Sequence, residues 1–263
     1  MTDTTVHPDR EGVRVERRGQ TLIVHLCNER RRNALSVPVR RGLLDAIREA
    51  AADDGVRSVI VTGAGAHFSA GGDLTTMQIT GEAAARDRLV LSHELVEAIA
   101  RVRTPVIAAI EGWAAGAGLS LALACDLIVG AQTSKYVASF GKVGLMGDLG
   151  IVRNLPLRVG AGCARRILFY GEPVDAATAH EIGLIDHLAP DGTSALDHAL
   201  DCAERLNQSA PLAIAATKTM LADGLTESLA RERELQARLF LSDDHAEGKA
   251  AFAAKRAPRF KGK

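Results

Sequence analysis

The chain has few aromatic residues and no excess of either charge. Aromatic residues make up 3% of its 263 residues, Lys+Arg and Asp+Glu both number 32, and the formal net charge is +0. A balanced charge provides no general attraction to nucleic acid or to a membrane surface. We therefore expect neither as a partner, and any anionic ligand must be bound by a local cluster of cations.

Paired cysteines and long apolar runs are also missing. The cysteines form no C-x-x-C pair and lie in apolar or helical contexts, which is typical of free thiols in a reducing compartment. No apolar run reaches the roughly 18 residues of a membrane helix, and Met1–Arg10 is polar and lacks an apolar segment of signal-peptide length. These absences predict a cytoplasmic protein.

Apolar residues, in contrast, are plentiful. Hydrophobic residues make up 47% of the chain. At this length, that content suffices for one large domain with a good core, alone or with a small appendage. It excludes a disordered or fibrous protein.

The sequence is organised around a glycine-rich turn at residues 112–126. The turn joins a predicted buried strand, Pro105–Ile110, to a predicted helix that is apolar on nearly every side. Gly112, Gly116 and Gly118 let a ligand approach the main chain, and the first N–H groups of a helix have no intrahelical acceptor, so the turn suits a developing anion. Alternatively, the glycines only let strand and helix pack closely. The spacing does not fit the dinucleotide motif G-x-G-x-x-G.

A second glycine-rich turn, residues 68–74, follows another predicted buried strand at Val59–Gly63. These two turns and the segment Asn33-Ala34-Leu35 resemble, in order and spacing, the three signature segments of the crotonase (enoyl-CoA hydratase/isomerase) superfamily. The resemblance extends to Gly144-Leu145 with Asp148 and to the C-terminal tail, so it covers nearly the whole chain.

The resemblance implies an α/β fold and an oligomer. It implies a crotonase-like spiral of repeated β-β-α units, with strand-turn-helix repeats at residues 21–52, 58–102 and 104–125. We expect the acyl-CoA-binding spiral core over residues 1–200 and a C-terminal helical region over 201–263 that builds a homotrimer or hexamer. The polar segment Thr75–Gly81 is expected to be loosely ordered, as it is in relatives.

The resemblance also implies an oxyanion site for an acyl-CoA thioester. By position, the two backbone N–H donors are the amides of Ala70 and Ala117. Donors fixed where an enolate oxygen develops stabilise the transition state without reorganising, and one such donor contributes roughly 3 kcal/mol. Further substrate-binding positions implied around the turns are Ala34, Gly71, Asp73, Leu74 and Gly116.

Two basic segments are candidates for the CoA phosphates. The run Arg30-Arg31-Arg32 alone indicates a solvated loop. The resemblance instead places Arg30, and with it Arg32, near the nucleotide end of CoA, where the planar guanidinium suits phosphate. In the tail, it implies Lys255 as a cation and Phe252 as a wall of the site, in some family members from an adjacent subunit. A plain basic C-terminus is the alternative.

The chain departs from the family's hydratases at two positions. Where those enzymes carry two glutamates that position and deprotonate water, this sequence has Ser120 and Phe140. Neither side chain can act as the missing base at neutral pH. We expect both to contact substrate, but a two-glutamate hydration mechanism does not fit.

Asp148 remains as the candidate acid/base. A similar aspartate moves the proton in family members that shift a carbon–carbon double bond, taking it from C2 of a 3-enoyl-CoA and returning it at C4. An apolar wall around the carboxyl would raise its pKa toward a useful value. Alternatively, Asp148 only bonds its own turn, beside Gly147 and Gly150.

Three functions remain open from the sequence. The first is double-bond isomerisation in an acyl-CoA. The second is hydration or thioester hydrolysis, with Asp148 activating water. The third is a non-catalytic acyl-CoA-binding protein that lost both glutamates. No motif supports a metal or a nicotinamide, so we expect no cofactor, because CoA is part of the substrate.

Overall fold

The computed structural model describes residues 4–6, 11–74 and 79–263. In chain order its strands are β1 (Thr4–Val6), β2 (Val13–Arg18), β3 (Thr21–Leu26), β4 (Ser58–Gly63), β5 (Val106–Ile110), β6 (Trp113–Ala115), β7 (Leu127–Gly130), β8 (Lys135–Val137), β9 (Val174–Asp175) and β10 (His187–Leu188). Its helices are α1 (Val37–Ala52), α2 (Glu82–Arg101), α3 (Ala117–Ala124), α4 (Ile151–Tyr170), α5 (Ala176–Glu181), α6 (Ala195–Asn207), α7 (Pro211–Leu221), α8 (Leu225–Leu239) and α9 (Asp243–Ala253).

The apolar, β-branched runs form the centre of one large sheet. Within the described part of the chain, seven strands pair in the order β1-β2-β3-β4-β5-β7-β10. β1 and β2 pair antiparallel, as do β2 and β3, whereas the pairs from β3 to β10 are parallel. A smaller sheet has the order β6-β8-β9. Strand followed by helix repeats at β3–α1, β4–α2 and β5–β6–α3, which confirms the predicted repeats.

Alternate residues of the central strands pack into two apolar layers. Leu22 and Val24 of β3 belong to the larger core, which includes buried residues of α1 and α2. Ile23, between them, faces a smaller core with Ile60 and Ile107, which α6 covers. Parallel strands covered on both faces need apolar residues at every position, and this explains the continuous apolar runs in the sequence. The predicted α/β class is confirmed.

The N-cap of α1 and the backbone of α4 are irregular. The Ser36 side chain at the N-cap of α1 makes no capping hydrogen bond. The backbone of α4 breaks at Gly160, where φ is 74°.

The last helices form a layer that starts before the predicted boundary at residue 200. α6 runs across that position and packs on β4 and β5, while α8 packs on α2. The division into residues 1–200 and 201–263 stays a prediction.

None of the helices in the described ranges has the length and apolar character needed to cross a membrane.

The predicted loose order of Thr75–Gly81 falls partly on residues 75–78, which lie outside the described residues.

Candidate active site

The two glycine-rich turns lie side by side because their backbones pair. Ser69 and Ala114 form a parallel bridge, and the Ala115 N–H donates to the Ser69 carbonyl at 2.9 Å. Gly71 has a φ of +93°, and a Cβ at this position would lie 2.5 Å from the Ala115 carbonyl oxygen. Only glycine fits there, since a side chain would push the turns apart. The same Cβ would lie 3.1 Å from the Ala117 nitrogen, so Gly71 brings the turn at residues 68–74 against the start of α3.

Asn33 locks the first signature segment to the second turn. Its buried side-chain amide donates to the carbonyls of Ala64 and His67 at 2.8 and 2.7 Å. Its own carbonyl accepts a hydrogen bond from the Ser69 hydroxyl at 2.7 Å. Asn33 has a φ of 55°, a backbone conformation that asparagine tolerates better than most residues. The segment therefore serves to hold the turn in place.

The amide predicted as the first oxyanion donor is already used. The Ala70 N–H donates to the Arg32 carbonyl at 2.8 Å, and the Gly71 N–H donates to the Ser69 hydroxyl at 3.1 Å. The Gly72 N–H, in contrast, has no acceptor among the described residues. The prediction of Ala70 as a donor is corrected accordingly, because an N–H bonded to protein is not available to substrate. Gly72 is the amide of this turn that remains free.

Ala117 has the backbone position that the sequence predicted for the second donor. It is the first residue of α3, where an N–H has no intrahelical partner, and no acceptor for it occurs in the described part of the structure. Gly72 and Ala117 both line a cavity of about 300 Å³ and a smaller adjoining cavity of about 20 Å³. The two free amides thus border the same space.

Most of the predicted site residues line the larger cavity, which has mainly apolar walls. Phe140, Leu145 and Val143 form part of that apolar surface, and Phe252 lies at an exposed position on it. The predicted residues found in its lining are Ala34, Ala70, Asp73, Leu74, Gly116, Ala117, Phe140, Asp148 and Phe252.

The cations at this cavity differ from those predicted. Arg31 lines it and forms an ion pair with Asp73 at 3.2 Å, whereas Arg30 and Arg32 are not among its lining residues. Lys142 lines it, and Lys255 does not. The sequence could not distinguish neighbouring arginines, because the turn at Glu29–Arg31 decides which side chain faces inward.

Two further predicted contacts are absent from both cavity linings. Ser120 is fully buried, and its hydroxyl donates to the Gly116 carbonyl at 3.4 Å, one helical turn earlier. Gly71 is not part of either lining, and its lack of a side chain allows the close contact between the two turns. The prediction that these two residues contact substrate is corrected to a structural role.

Asp148 lines both cavities, together with Gly72 and Ala117. Its side chain is buried, and within the described residues its Oδ1 has no hydrogen-bond partner. Burial, and after it the negative charge of Glu232, raise the pKa of Asp148 to about 7 against the opposing effect of Arg40 and Arg88. A buried carboxyl of this kind exchanges a proton readily near neutral pH.

Helix α8 holds the loop that carries Asp148. Gln236 accepts a hydrogen bond from the Met146 N–H at 3.2 Å and donates to the Met146 carbonyl at 3.0 Å. Glu232 accepts from the Gly150 N–H at 2.9 Å with one oxygen, and its other oxygen lies 2.9 Å from His93 Nε2. The sequence analysis missed Glu232 and Gln236. The available signal was two polar residues four apart on the buried face of a helix.

One cluster outside the cavities has a metal-ligating composition that the sequence analysis did not single out. His187, His198 and Cys202 offer ligand atoms that lie within 4.8 Å of one another. They lie where β10 meets α6, and none of them lines either cavity. The geometry around Asp148 therefore does not involve this cluster.

Comparison with known proteins identifies the family of the chain. The family model described as enoyl-CoA hydratase/isomerase matches residues 16–263. A putative enoyl-CoA hydratase of Thermus thermophilus is 36% identical over 255 residues, which are 94% of this chain and 100% of that protein. The 1,2-epoxyphenylacetyl-CoA isomerase of Escherichia coli is 34% identical over 251 residues, 92% of this chain and 95% of that one. The crystal structure of an enoyl-CoA hydratase from Mycobacterium avium subsp. paratuberculosis superposes with a TM-score of 0.85 at 32% identity, covering 96% and 100% of the two chains.

Proposed function

The chain belongs to the enoyl-CoA hydratase/isomerase family and has the crotonase fold, and from this premise we propose that it moves a carbon–carbon double bond within an acyl-CoA thioester. The observation that carries the proposal is the shared space around Asp148. A buried carboxyl with an unpartnered Oδ1 borders the same cavity as two free backbone amides, those of Gly72 and Ala117.

The reaction needs one group that both accepts and returns a proton. Asp148 takes the proton from C2 of a 3-enoyl-CoA, and the electron pair moves onto the thioester oxygen to give an enolate. The N–H groups of Gly72 and Ala117 hold that oxygen, each contributing about 3 kcal/mol. The same carboxyl then returns the proton at C4, so the double bond ends between C2 and C3 and no atom is gained or lost.

The environment of Asp148 suits this cycle. A pKa of about 7 keeps a useful fraction of the carboxyl in each protonation state at neutral pH. Phe140 and Leu145 line the cavity beside it and exclude water from the enolate. Among the residues that the structure describes, the one other carboxylate that lines either cavity is Asp73, which is paired with Arg31.

Binding of the CoA moiety is assigned to the exposed end of the larger cavity. Arg31 and Lys142 supply positive charge there, and Phe252 supplies apolar surface. Arg31 and Lys142 take the place of the predicted Arg30, Arg32 and Lys255, whereas Phe252 was itself predicted. The reaction needs no cofactor beyond the CoA of the substrate.

An oligomer and a cytoplasmic location are part of the proposal. Leu212, Met220 and Leu221 of α7 are 76%, 70% and 71% exposed, which supports burial of this helix between subunits of a homotrimer or hexamer.

Water activation by Asp148 is the second candidate, and one observation favours it. The smaller cavity beside Asp148 holds about 20 Å³, which is room for one water molecule. Such a water would serve hydration or thioester hydrolysis, and the Thermus thermophilus relative is named a hydratase. We favour isomerisation because it needs a single carboxyl. The two positions at which the hydratases have glutamates are Ser120 and Phe140 in this chain, so the carboxylates of the hydration mechanism are missing.

Proton NMR in D₂O distinguishes these reactions. With a 3-enoyl-CoA, isomerisation gives a 2-enoyl product, and deuterium enters at C4 where the proton on Asp148 exchanges with solvent before it is returned. A 3-hydroxyacyl product would indicate hydration, and free CoA detected with a thiol reagent would indicate hydrolysis. Tight binding with neither a 2-enoyl product nor exchange at C2 would contradict catalysis and leave an acyl-CoA-binding protein. The Asp148→Asn variant is the control, since it keeps the size of the side chain and loses the base.

A further inference from the structure

Two arginine residues line the smaller cavity. Beyond Gly72, Ala117 and Asp148, its lining includes Arg40 of α1 and Arg88 of α2. Its volume of about 20 Å³ accommodates one oxygen-sized group and adjoins the larger cavity. A chain bound by its thioester at the two amides therefore has this polar space within reach of its acyl end.

Arg40 is an unusual residue for such a wall. It is only 5% exposed, and one guanidinium nitrogen donates to the Ser92 hydroxyl at 2.6 Å and to the Arg88 carbonyl at 3.3 Å. Its Nε is buried and has no hydrogen-bond partner in the described residues. Buried arginines are normally paired with a carboxylate, because an unpaired buried charge is costly.

Neither Arg40 nor Arg88 has such a pair. Across the described ranges, no ion pair joins either guanidinium to a carboxylate. Burial and the charge of Arg88 lower the pKa of Arg40 to about 10, as expected for two cations that share a site without a full counter-charge. Glu232, the nearest carboxylate of α8, is committed to His93 and Gly150.

Asp148 does not balance the two charges during the reaction. Asp148 attracts both guanidiniums, and Asp73 attracts Arg88. Asp73 is paired with Arg31, however, and Asp148 becomes neutral once it accepts the C2 proton. The enolate oxygen then lies at the two amides. The space between Arg40 and Arg88 still lacks an anion of its own.

We propose that Arg40 and Arg88 form an acyl-end subsite for a carboxylate, so that the substrate is the CoA thioester of a dicarboxylic acid. One carboxylate oxygen occupies the smaller cavity and accepts hydrogen bonds from Arg40, and the rest of the acyl chain lies in the larger cavity. Arginine suits this role because its donors match the geometry of a carboxylate. The inference rests on the proposed acyl-CoA function and specifies its substrate class.

Direct binding tests the subsite without requiring turnover. Dissociation constants are measured by calorimetry for succinyl-CoA, glutaryl-CoA and adipyl-CoA, and each is compared with the uncharged acyl-CoA of nearly equal chain length. We expect at least one diacid to bind on the order of tenfold more tightly than its uncharged counterpart.

Two arginine variants and one matched control assign the preference. Arg88→Met should reduce the preference for the diacid to about one, that is, to no discrimination. Arg40→Met should do the same, and Arg88→Met keeps the test valid if loss of the Arg40 contacts prevents folding. Arg41→Met, next to Arg40 but exposed, should leave the preference unchanged. Circular dichroism verifies the fold of each variant.

The outcomes separate this inference from the proposed function. Equal or weaker binding of every diacid, or an undiminished preference in Arg88→Met, overturns the subsite. An equal loss of binding for charged and uncharged chains also overturns it, because it would mean that the arginines act only on the shared thioester end. A clear diacid preference with neither a 2-enoyl product nor deuterium exchange at C2 would support the subsite and contradict catalysis.

Discussion

The Gly150 N–H donates to Glu232 Oε2 at 2.9 Å, and this contact joins the loop that carries Asp148 to helix α8. Through its other oxygen, Glu232 is held by His93 of α2. The contact places a negative charge beside the Asp148 carboxyl, and that charge contributes to the raised pKa of Asp148. The position of the Asp148 loop and the pKa of Asp148 thus both depend on Glu232, a residue far away in the sequence.

Glu232→Gln should shift the pH dependence of catalysis without displacing the loop. Glutamine still accepts the Gly150 hydrogen bond, but it removes a charge that raises the pKa of Asp148, while Arg40 and Arg88 continue to lower it. The pKa therefore falls, and the base form of Asp148 is present at lower pH. We expect the ascending limb of the rate of C2 exchange to move down by on the order of one pH unit.

Glu234→Gln is the matched control for this shift. It lies on the same helix, but it is exposed and pairs with Arg86. Its pH profile should coincide with that of the unmodified protein. If the ascending limb of the pH profile does not move in Glu232→Gln, the electrostatic role of Glu232 is contradicted.

Asp148→Asn should stabilise the protein while it abolishes turnover. The pKa of Asp148 is raised from 3.8 to about 7, so the folded state binds the proton more tightly than the unfolded state. Stability is therefore lost as pH rises from about 4 to about 7, and asparagine removes this loss. Denaturant unfolding should show a gain of up to roughly 4 kcal/mol at about pH 8 and little difference at about pH 4. An equal effect at both pH values would contradict the raised pKa.

Gly71→Ala should disrupt the site because the new Cβ has no room. It would lie 2.5 Å from the Ala115 carbonyl oxygen, so the two turns must separate and the Gly72 amide moves. We expect C2 exchange to fall by two orders of magnitude or more, about the effect of losing one oxyanion donor.

Gly81→Ala separates backbone strain from the close contact. Its φ of +91° matches the +93° of Gly71, but nothing lies within 4 Å of its Cβ position. Alanine at φ near +90° costs on the order of 1–3 kcal/mol of backbone strain in either variant, and Gly81→Ala should retain activity. Similar activity losses in the two variants would show that contact with Ala115 is not the cause.

Arg31→Ala should raise KM for the acyl-CoA and leave kcat nearly unchanged. Arg31 lines the larger cavity, whereas Arg30 does not, so Arg30→Ala is the natural comparison. Removal of one partly exposed charge–phosphate contact should cost about 1 kcal/mol, which is a several-fold increase in KM. A larger effect for Arg30→Ala than for Arg31→Ala would restore the sequence prediction.

The strands and turns around the site could be predicted from the sequence, because they depend on local patterns. Apolar, β-branched runs with glycine at their ends indicated β4 and β5, and the glycine-rich turns after them indicated where a ligand meets the main chain. The crotonase-like fold and the candidate Asp148 came instead from the resemblance of the motifs to that superfamily. These features need no knowledge of distant contacts.

The errors concern contacts between segments. Which amide of residues 70–72 stays free depends on the Arg32 carbonyl, which captures the Ala70 N–H. The inward direction of Arg31 depends on one short helical turn. Glu232 and Gln236 bind the Asp148 loop although they lie more than 80 residues later in the sequence. The sequence of a helix does not show which segment its polar side chains contact.

The arrangement of the two amides opposite Asp148 is the central claim, and isotope-edited infrared spectroscopy of a bound thioester tests it most directly. In the Asp148→Asn protein, with a ¹³C label at the thioester carbonyl, the C=O stretch of the bound substrate should lie below its frequency in water. Adding Ala117→Pro removes one donor at a helix position that accepts proline, and it should reverse much of the downshift. An unshifted carbonyl in Asp148→Asn, with substrate bound, would contradict the account.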